Sequence, residues 1–388
     1  MPGTEVVVIG GGIVGTSAAA FLAERGASVT LVERTAIGAG ASGRNLGAVQ
    51  HPFDPALVAL HEETVAMYRE MASGTGGFAF PAEPAGLLML AEDRGLLAAQ
   101  AEGFHAFPEL RADLLEPRQT RSLEPGLAPD LWSLRLATGY PVPPRAATTA
   151  MAERATRAGA RIEIGAAAVP AIRRGRVSGV ILEGLRRIPA DLVLVAAGPW
   201  SPYLLDPSGT WLPIVATWGA TARLELADPP HHVIEEARVE AVNRPVDTEP
   251  EARPPGPEAT PSLFTLAAAA GVSTIGSTFL ASEPDHRALG PILVERGMRF
   301  LPGLRGARIT DTRACARPQS FDGRPLVGAI PGVGGLFMAA GHGPWGISCG
   351  PATSRLAVDA MLDPGGSAVP AALRAERVAA PAIPEVDA

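Results

Sequence analysis

The sequence contains no lysine: every one of its 33 Lys+Arg residues is an arginine. A Schiff-base lysine, a pyridoxal-phosphate anchor and a Walker A loop are excluded together, because each needs that amine. Cysteine is almost absent too. With only Cys315 and Cys349, neither a disulfide framework nor a cysteine zinc cluster can be built, and no metal site is expected. A basic surplus is also missing, since the formal net charge is -7, which argues against a nucleic-acid partner. One uncharged stretch, SLFTLAAAAGVSTIGSTFLAS at 262–282, has the length to cross a bilayer. Its Ala, Gly, Ser and Thr content suits two strands better, at about 263–266 and 272–279, so no transmembrane segment is expected. The N-terminus lacks basic residues ahead of a glycine motif, so no signal peptide is read and the expected location is cytoplasmic. What is present is length and apolar content. At 388 residues, 47% of them hydrophobic, the chain can form one large or two ordinary domains.

The stretch VVVIGGGIVG, residues 6–15, carries the first chemistry. Its apolar start suits a buried parallel strand. Gly10, Gly12 and Gly15 then stand in G-x-G-x-x-G spacing, with Ile13 and Val14 opening a helix. Such glycines permit a tight turn, close approach of a pyrophosphate and close packing of helix on strand. The helix start adds unpaired N–H groups and a positive dipole end. NAD, NADP and FAD proteins share this device. A second strand, ASVTLVER, ends in Glu33 and Arg34. An acidic side chain there accepts hydrogen bonds from ribose hydroxyls and disfavours the extra phosphate of NADP. Residues 38–54, GAGASGRNLGAVQHPFD, are too rich in small residues for a regular element. Within them Ser42 and Asn45 offer hydrogen bonds and Arg44 a phosphate partner.

A helical run is expected from 55 to about 73, then alternating strands and helices to about 132. A second nucleotide-fold half reads from 143 to 200: helix, strand, β-meander, and a buried strand ending in AAGPW. Residues 229–261 are rich in proline and read as a surface insertion or a partner surface. The tail from 363 is Pro- and Ala-rich and is expected to fray. Before it, LFMAAG, GHGPWG and ISCGPATSRLAVDAM read as strand, tight loop and helix. A second glycine-rich unit so far from the first suits a flavin, whose ring lies well away from its pyrophosphate.

Five stretches in this order resemble the D-amino-acid-oxidase-like family of FAD-dependent oxidoreductases. They are VVVIGGGIVG with Glu33, GASGRNLGAVQ, ADLVLVAAGPWS, ARPQSFDGRPLVG and AAGHGPWGIS. That family includes glycine oxidases, sarcosine oxidases and D-amino-acid dehydrogenases. The resemblance implies FAD as cofactor and an α/β fold. A Rossmann-like FAD-binding domain (1–85, 140–210 and 320–388) would accompany an α+β substrate domain on a mainly antiparallel sheet (86–139 and 211–319). It implies that Gly10, Gly12 and Gly15 hold the pyrophosphate and Glu33 the ribose, and that Ser42, Gly43 and Asn45 line phosphate and flavin. The backbone of Val169 would meet adenine, with Gly198 and Trp200 beside the cofactor. Gly341, Gly343, Gly346 and Ile347 would cover the pyrimidine end of the flavin.

The implied reaction is oxidation of an amino acid: the α-hydrogen leaves as hydride to flavin N5 and the imine hydrolyses. It needs orientation more than acid–base help. Arg317 is the candidate carboxylate anchor, because its fork grips a carboxylate bidentately; a structural ion pair with Asp322 or a nearby acid is the competing reading. The lysine that sarcosine oxidases carry after their glycine–histidine–glycine motif is replaced here by Trp345, and no lysine stands by to activate oxygen. Cys315 matches a position where some relatives link the flavin covalently; a non-covalent flavin with a buried inert thiol is the other reading. His51 faces flavin or substrate in one reading, His342 fixes backbone geometry, and Tyr140 and Trp218 are candidate pocket residues. The substrate would be glycine, an N-alkyl glycine, a proline-like or a D-amino acid, with oxygen or a quinone or other electron carrier as acceptor. A homo-oligomer is compatible with this reading. The alternatives are a flavin-binding subunit that needs a partner protein, and an NAD-dependent dehydrogenase.

Overall fold

The computed structural model describes residues 3–74, 76–239, 262–363, 369–381 and 383–384. Its first strand, Glu5–Ile9, is buried from Val6 onward, as a central parallel strand must be when both faces are covered. It lies inside a six-stranded sheet between Leu192–Val195 and Ser28–Glu33. Arg161–Ile164 flanks one side; Leu336–Ala340 and Leu326–Ala329 complete the other. All neighbours run parallel except the last pair, which forms a hairpin. Helix Ile13–Glu24 packs between Ala146–Arg157 and Gly346–Leu362 on one face. Its run of small residues, Ala18, Ala19 and Ala20 among them, is fully buried and lets the three helices approach closely. The antiparallel meander Ala168–Arg173, Arg176–Leu182, Arg187–Pro189 covers the other face through Ile172 and Val180.

A second sheet of eight strands stands beside the first. Its order is Arg308–Ser320, Ile214–Glu225, Val272–Gly276, Thr265–Ala269, Val233–Glu236, Leu87–Ala91, Trp132–Leu136, Asp113–Leu115. It is antiparallel except between Val233–Glu236 and Leu87–Ala91. Helix His286–Gly297 closes its outer face, its Leu293 clustering with Phe264 and Leu304. The class is therefore mixed α/β, with a parallel nucleotide-type layer and a mainly antiparallel one.

Three local expectations need correction. The uncharged stretch is a hairpin, but its strands are Thr265–Ala269 and Val272–Gly276. Ala270 (φ 49°) and Gly271 (φ 76°) form the two-residue turn between Ala269 and Val272, so most of the AAAAG run is strand. The proline-rich segment begins as core rather than insertion: Val233–Glu236 is a strand with Val233 and Ile234 fully buried. The rest of that segment, from 240 to 261, lies outside the described residues. Part of the C-terminal tail is packed, with Leu373 buried and Arg377 gripping Asp322.

Candidate active site

The chain turns sharply at the end of its first strand. Gly10 takes φ 116°, where a methyl group would stand 2.5 Å from the Ala196 carbonyl oxygen. A methyl on Gly15 would meet the Gly10 carbonyl oxygen at 1.9 Å, so this glycine brings the helix onto its strand. Gly12 is the N-cap and supplies no capping side chain; Ser42 Oγ accepts from the N–H of Ile13 at 3.0 Å instead. Gly12, Ile13 and Val14 at this helix start line a cavity, the arrangement that suits a phosphate. Glu33 closes the neighbouring strand with its carboxylate fixed by the N–H groups of Gly11 and Thr35, both at 2.7 Å. Arg34 lies over the Trp200 ring at 5.6 Å.

These groups border one cavity of about 490 Å³, which runs from the nucleotide-type layer onto the antiparallel sheet. Of the residues singled out from sequence, Gly10, Gly12, Ile13, Val14, Glu33, Arg34, Ser42, Arg44 and Asn45 line it at the N-terminal side. Gly198 and Trp200 line it at the middle layer, and Gly343, Gly346, Ile347, Cys315 and Arg317 at the far end, with Trp218 and His342. Seven stand back from it, Tyr140 and Trp345 among them. Gly15 and Gly43 are packing glycines; a methyl on Gly43 would meet the Gly38 carbonyl oxygen at 2.2 Å. Gly341 packs on Ser320 and Ile214. Val169 points outward, while Ala166, Ala167 and Ala168 before it border the cavity.

His51 is another, and it is not brought to the cavity. Leu46, Ala48 and Gln50 alternate onto the cavity side, so Val49 and His51 face away. The His51 ring is buried against His61 and Phe107, with Nε2 3.1 Å from Glu109. Tyr140 and Trp345 are also packing residues: Tyr140 stacks on Phe80, and Trp345 meets Phe53 edge-on. Sequence reasoning missed Thr221, Thr265, Ser277 and Phe279, which line the cavity from three different strands or strand ends.

The far end is electrostatically unusual. Arg317 is partly buried, and its guanidinium donates from Nη1 to the Thr278 carbonyl at 2.8 Å and from Nη2 to Ser277 Oγ at 2.5 Å. Its Cζ lies 4.4 Å from the centre of the Phe279 ring. Each of these partners is neutral, and Asp322, the rival partner, belongs to Arg377. Burial holds the Arg317 guanidinium below the usual arginine range. Burial likewise pushes the Cys315 thiol up, against the pull of Arg317, Arg313 and Arg44. His342 is buried with Nε2 unpartnered, and burial lowers it to about 4. It is neutral at ordinary pH.

The family model for FAD-dependent oxidoreductases (DAO) matches residues 5–360. The chain belongs to this family. A glycine oxidase of Pseudomonas aeruginosa is 28% identical over 372 residues, covering 92% of this chain and 94% of that protein. A D-amino acid dehydrogenase of Xylella fastidiosa is 26% identical over 304 residues, covering 75% and 64%. Among solved structures, an iminodiacetate oxidase from a Chelativorans species superposes with a TM-score of 0.77 at 25% identity, covering 94% and 97% of the two chains. The DAO family is FAD-dependent, and the cavity fits that cofactor. It joins a helix start with glycine at its N-cap to a second helix start, Gly346–Leu362, whose first residues also line the wall. Among the described residues no cluster could hold a metal ion, and no helix is long and apolar enough to cross a membrane.

Proposed function

We propose that this enzyme oxidises a small amino acid at its α-carbon, with Arg317 anchoring the substrate carboxylate. The supporting observation is the buried guanidinium at the cavity end whose hydrogen-bond partners are a carbonyl and a hydroxyl and whose face is covered by a ring. Among the described residues no carboxylate pairs with it. A charge taken out of water is costly unless a partner arrives, and a planar fork matches a carboxylate. The relatives' names agree in substrate type: glycine, iminodiacetate, D-amino acids and, in a structure of the same fold, L-proline.

In this reading FAD is held by the helix start at Gly12 with Ser42, by Glu33, and by the Gly343–Ile347 loop. When bound, FAD supplies the acceptor for the two electrons that leave the substrate. The chain's own work is placement. Arg317 fixes one end of the substrate, so that its C–H bond is presented in one orientation. Trp218 and Phe279 give the cavity wall apolar surface. The positive end of helix Gly346–Leu362 favours negative charge developing beside it. His342, held neutral, adds no competing cation.

The test is to add pools of amino acids to the purified yellow protein under nitrogen while following the flavin absorbance. Bleaching by one pool supports the reading and narrows the substrate. Readmitting air then separates an oxidase from a dehydrogenase. A flavin that no amino acid bleaches, yet dithionite does, refutes it.

A further inference from the structure

Arg317 belongs to strand Arg308–Ser320, yet its guanidinium does not stay above that strand. It crosses the neighbouring strand Ile214–Glu225 at Gly219. A methyl group there would stand 2.5 Å from Nη1 and 2.6 Å from both Cζ and Nη2. The guanidinium therefore occupies the space that any side chain at 219 would fill. Beyond Gly219 it reaches Ser277 and Thr278, just past the end of the next strand, Val272–Gly276. Thr278 offers a backbone carbonyl that any residue type would supply. The missing side chain at 219 and the hydroxyl at 277 instead depend on which residue stands there.

We propose that Gly219 and Ser277 are positioning residues for Arg317; the proposal rests on the reading of Arg317 as the carboxylate anchor. An arginine has many rotamers, and ordering it at the moment of binding weakens recognition. Gly219 opens one path for the side chain, and Ser277 holds its far end. The chemistry of position 277 matters as well. An Asp there would also fix the guanidinium but would cancel the charge that a substrate carboxylate needs. A hydroxyl fixes it and leaves the charge available. With Phe279 on one face, the cation is held by neutral groups and presented to the cavity.

The probe is sodium acetate, titrated into the FAD-loaded enzyme and followed through the shift of the flavin absorption band. Arg317→Ala should abolish most of the acetate affinity. Ser277→Ala and Gly219→Ala should each weaken it about tenfold, the size of a lost hydrogen bond to a charged group. Ser277→Thr, which keeps the hydroxyl, should stay near the parent. Gly219→Ala should add nothing in an Arg317→Ala background, where the space at 219 is empty. If Arg317→Ala itself leaves acetate binding intact, or the parent shows no acetate shift, the anchor reading fails. If Arg317→Ala weakens binding but Ser277→Ala and Gly219→Ala do not, the positioning proposal alone fails. Equal weakening by Gly219→Ala with and without Arg317 overturns it too, because its action would not pass through the guanidinium.

Discussion

A methyl group on Gly10 would sit 2.5 Å from the Ala196 carbonyl oxygen and 2.8 Å from its carbon, on a backbone with φ 116°. Neither neighbour is a flexible side chain, so the strand end or the loop must move. Gly10→Ala should cost roughly 1–3 kcal/mol of stability and yield protein with less bound FAD after dialysis. The ratio of visible flavin absorbance to protein absorbance checks this, and a variant with the parent's ratio and melting temperature would refute it. Gly10 and Gly12 were legible in the sequence because a local turn writes its demand locally, as glycine at fixed spacing. Arg317 was singled out because its planar fork matches a carboxylate. Ser277 and Gly219 were not, because their roles depend on three strands meeting in one register. His51 misled for a smaller reason: alternation puts its neighbour Gln50, not His51, on the cavity side.

At the scale of elements, Glu236 links three of them. It ends strand Val233–Glu236, accepts the Phe264 N–H at 2.6 Å, and pairs with Arg296 of helix His286–Gly297. Its side chain is only 4% exposed. Glu236→Ala strips a partly buried guanidinium of its carboxylate and a buried N–H of its acceptor, which should destabilise the fold by roughly 3 kcal/mol. Glu225→Ala breaks the Arg308–Glu225 pair, exposed on both sides and screened by solvent, and should cost far less. Urea unfolding of both variants decides between them, and equal losses would contradict the argument. This strand was also the element least visible in advance. It is four residues long, it lies among prolines, and its parallel partner Leu87–Ala91 is far away in sequence. The long helices and the strands on either side of the glycine loop were visible because their patterns repeat over many residues.

At the scale of the whole molecule, the two glycine-rich units read separately in the sequence come together through Leu192–Val195, which stands between their strands. That insertion is a matter of topology, and no local pattern announces it. The same assembly buries three histidines: His51 and His61 in contact beside the cavity wall, and His342 within it. Burial lowers all three, His61 to about 3 and His342 to about 4. For His51, Glu109 and Glu62 pull the other way without reversing the shift; for His61, the adjacent His51 adds to it. The sign follows directly. Below about pH 6.5, their ordinary value, these histidines take up protons in the unfolded chain but not in the folded one. Acid therefore favours unfolding, and stability is full above that pH and falls as pH drops toward the folded values. Each such histidine contributes a slope of up to about 1.4 kcal/mol per pH unit. The urea midpoint should therefore decline between about pH 6.5 and about pH 5, before most carboxylates titrate. His61→Phe should flatten part of that decline if it folds. His105→Gln, which alters an exposed histidine, should leave the decline unchanged. A midpoint that stays level across this window in the parent protein would show that the buried imidazoles do not govern its acid sensitivity.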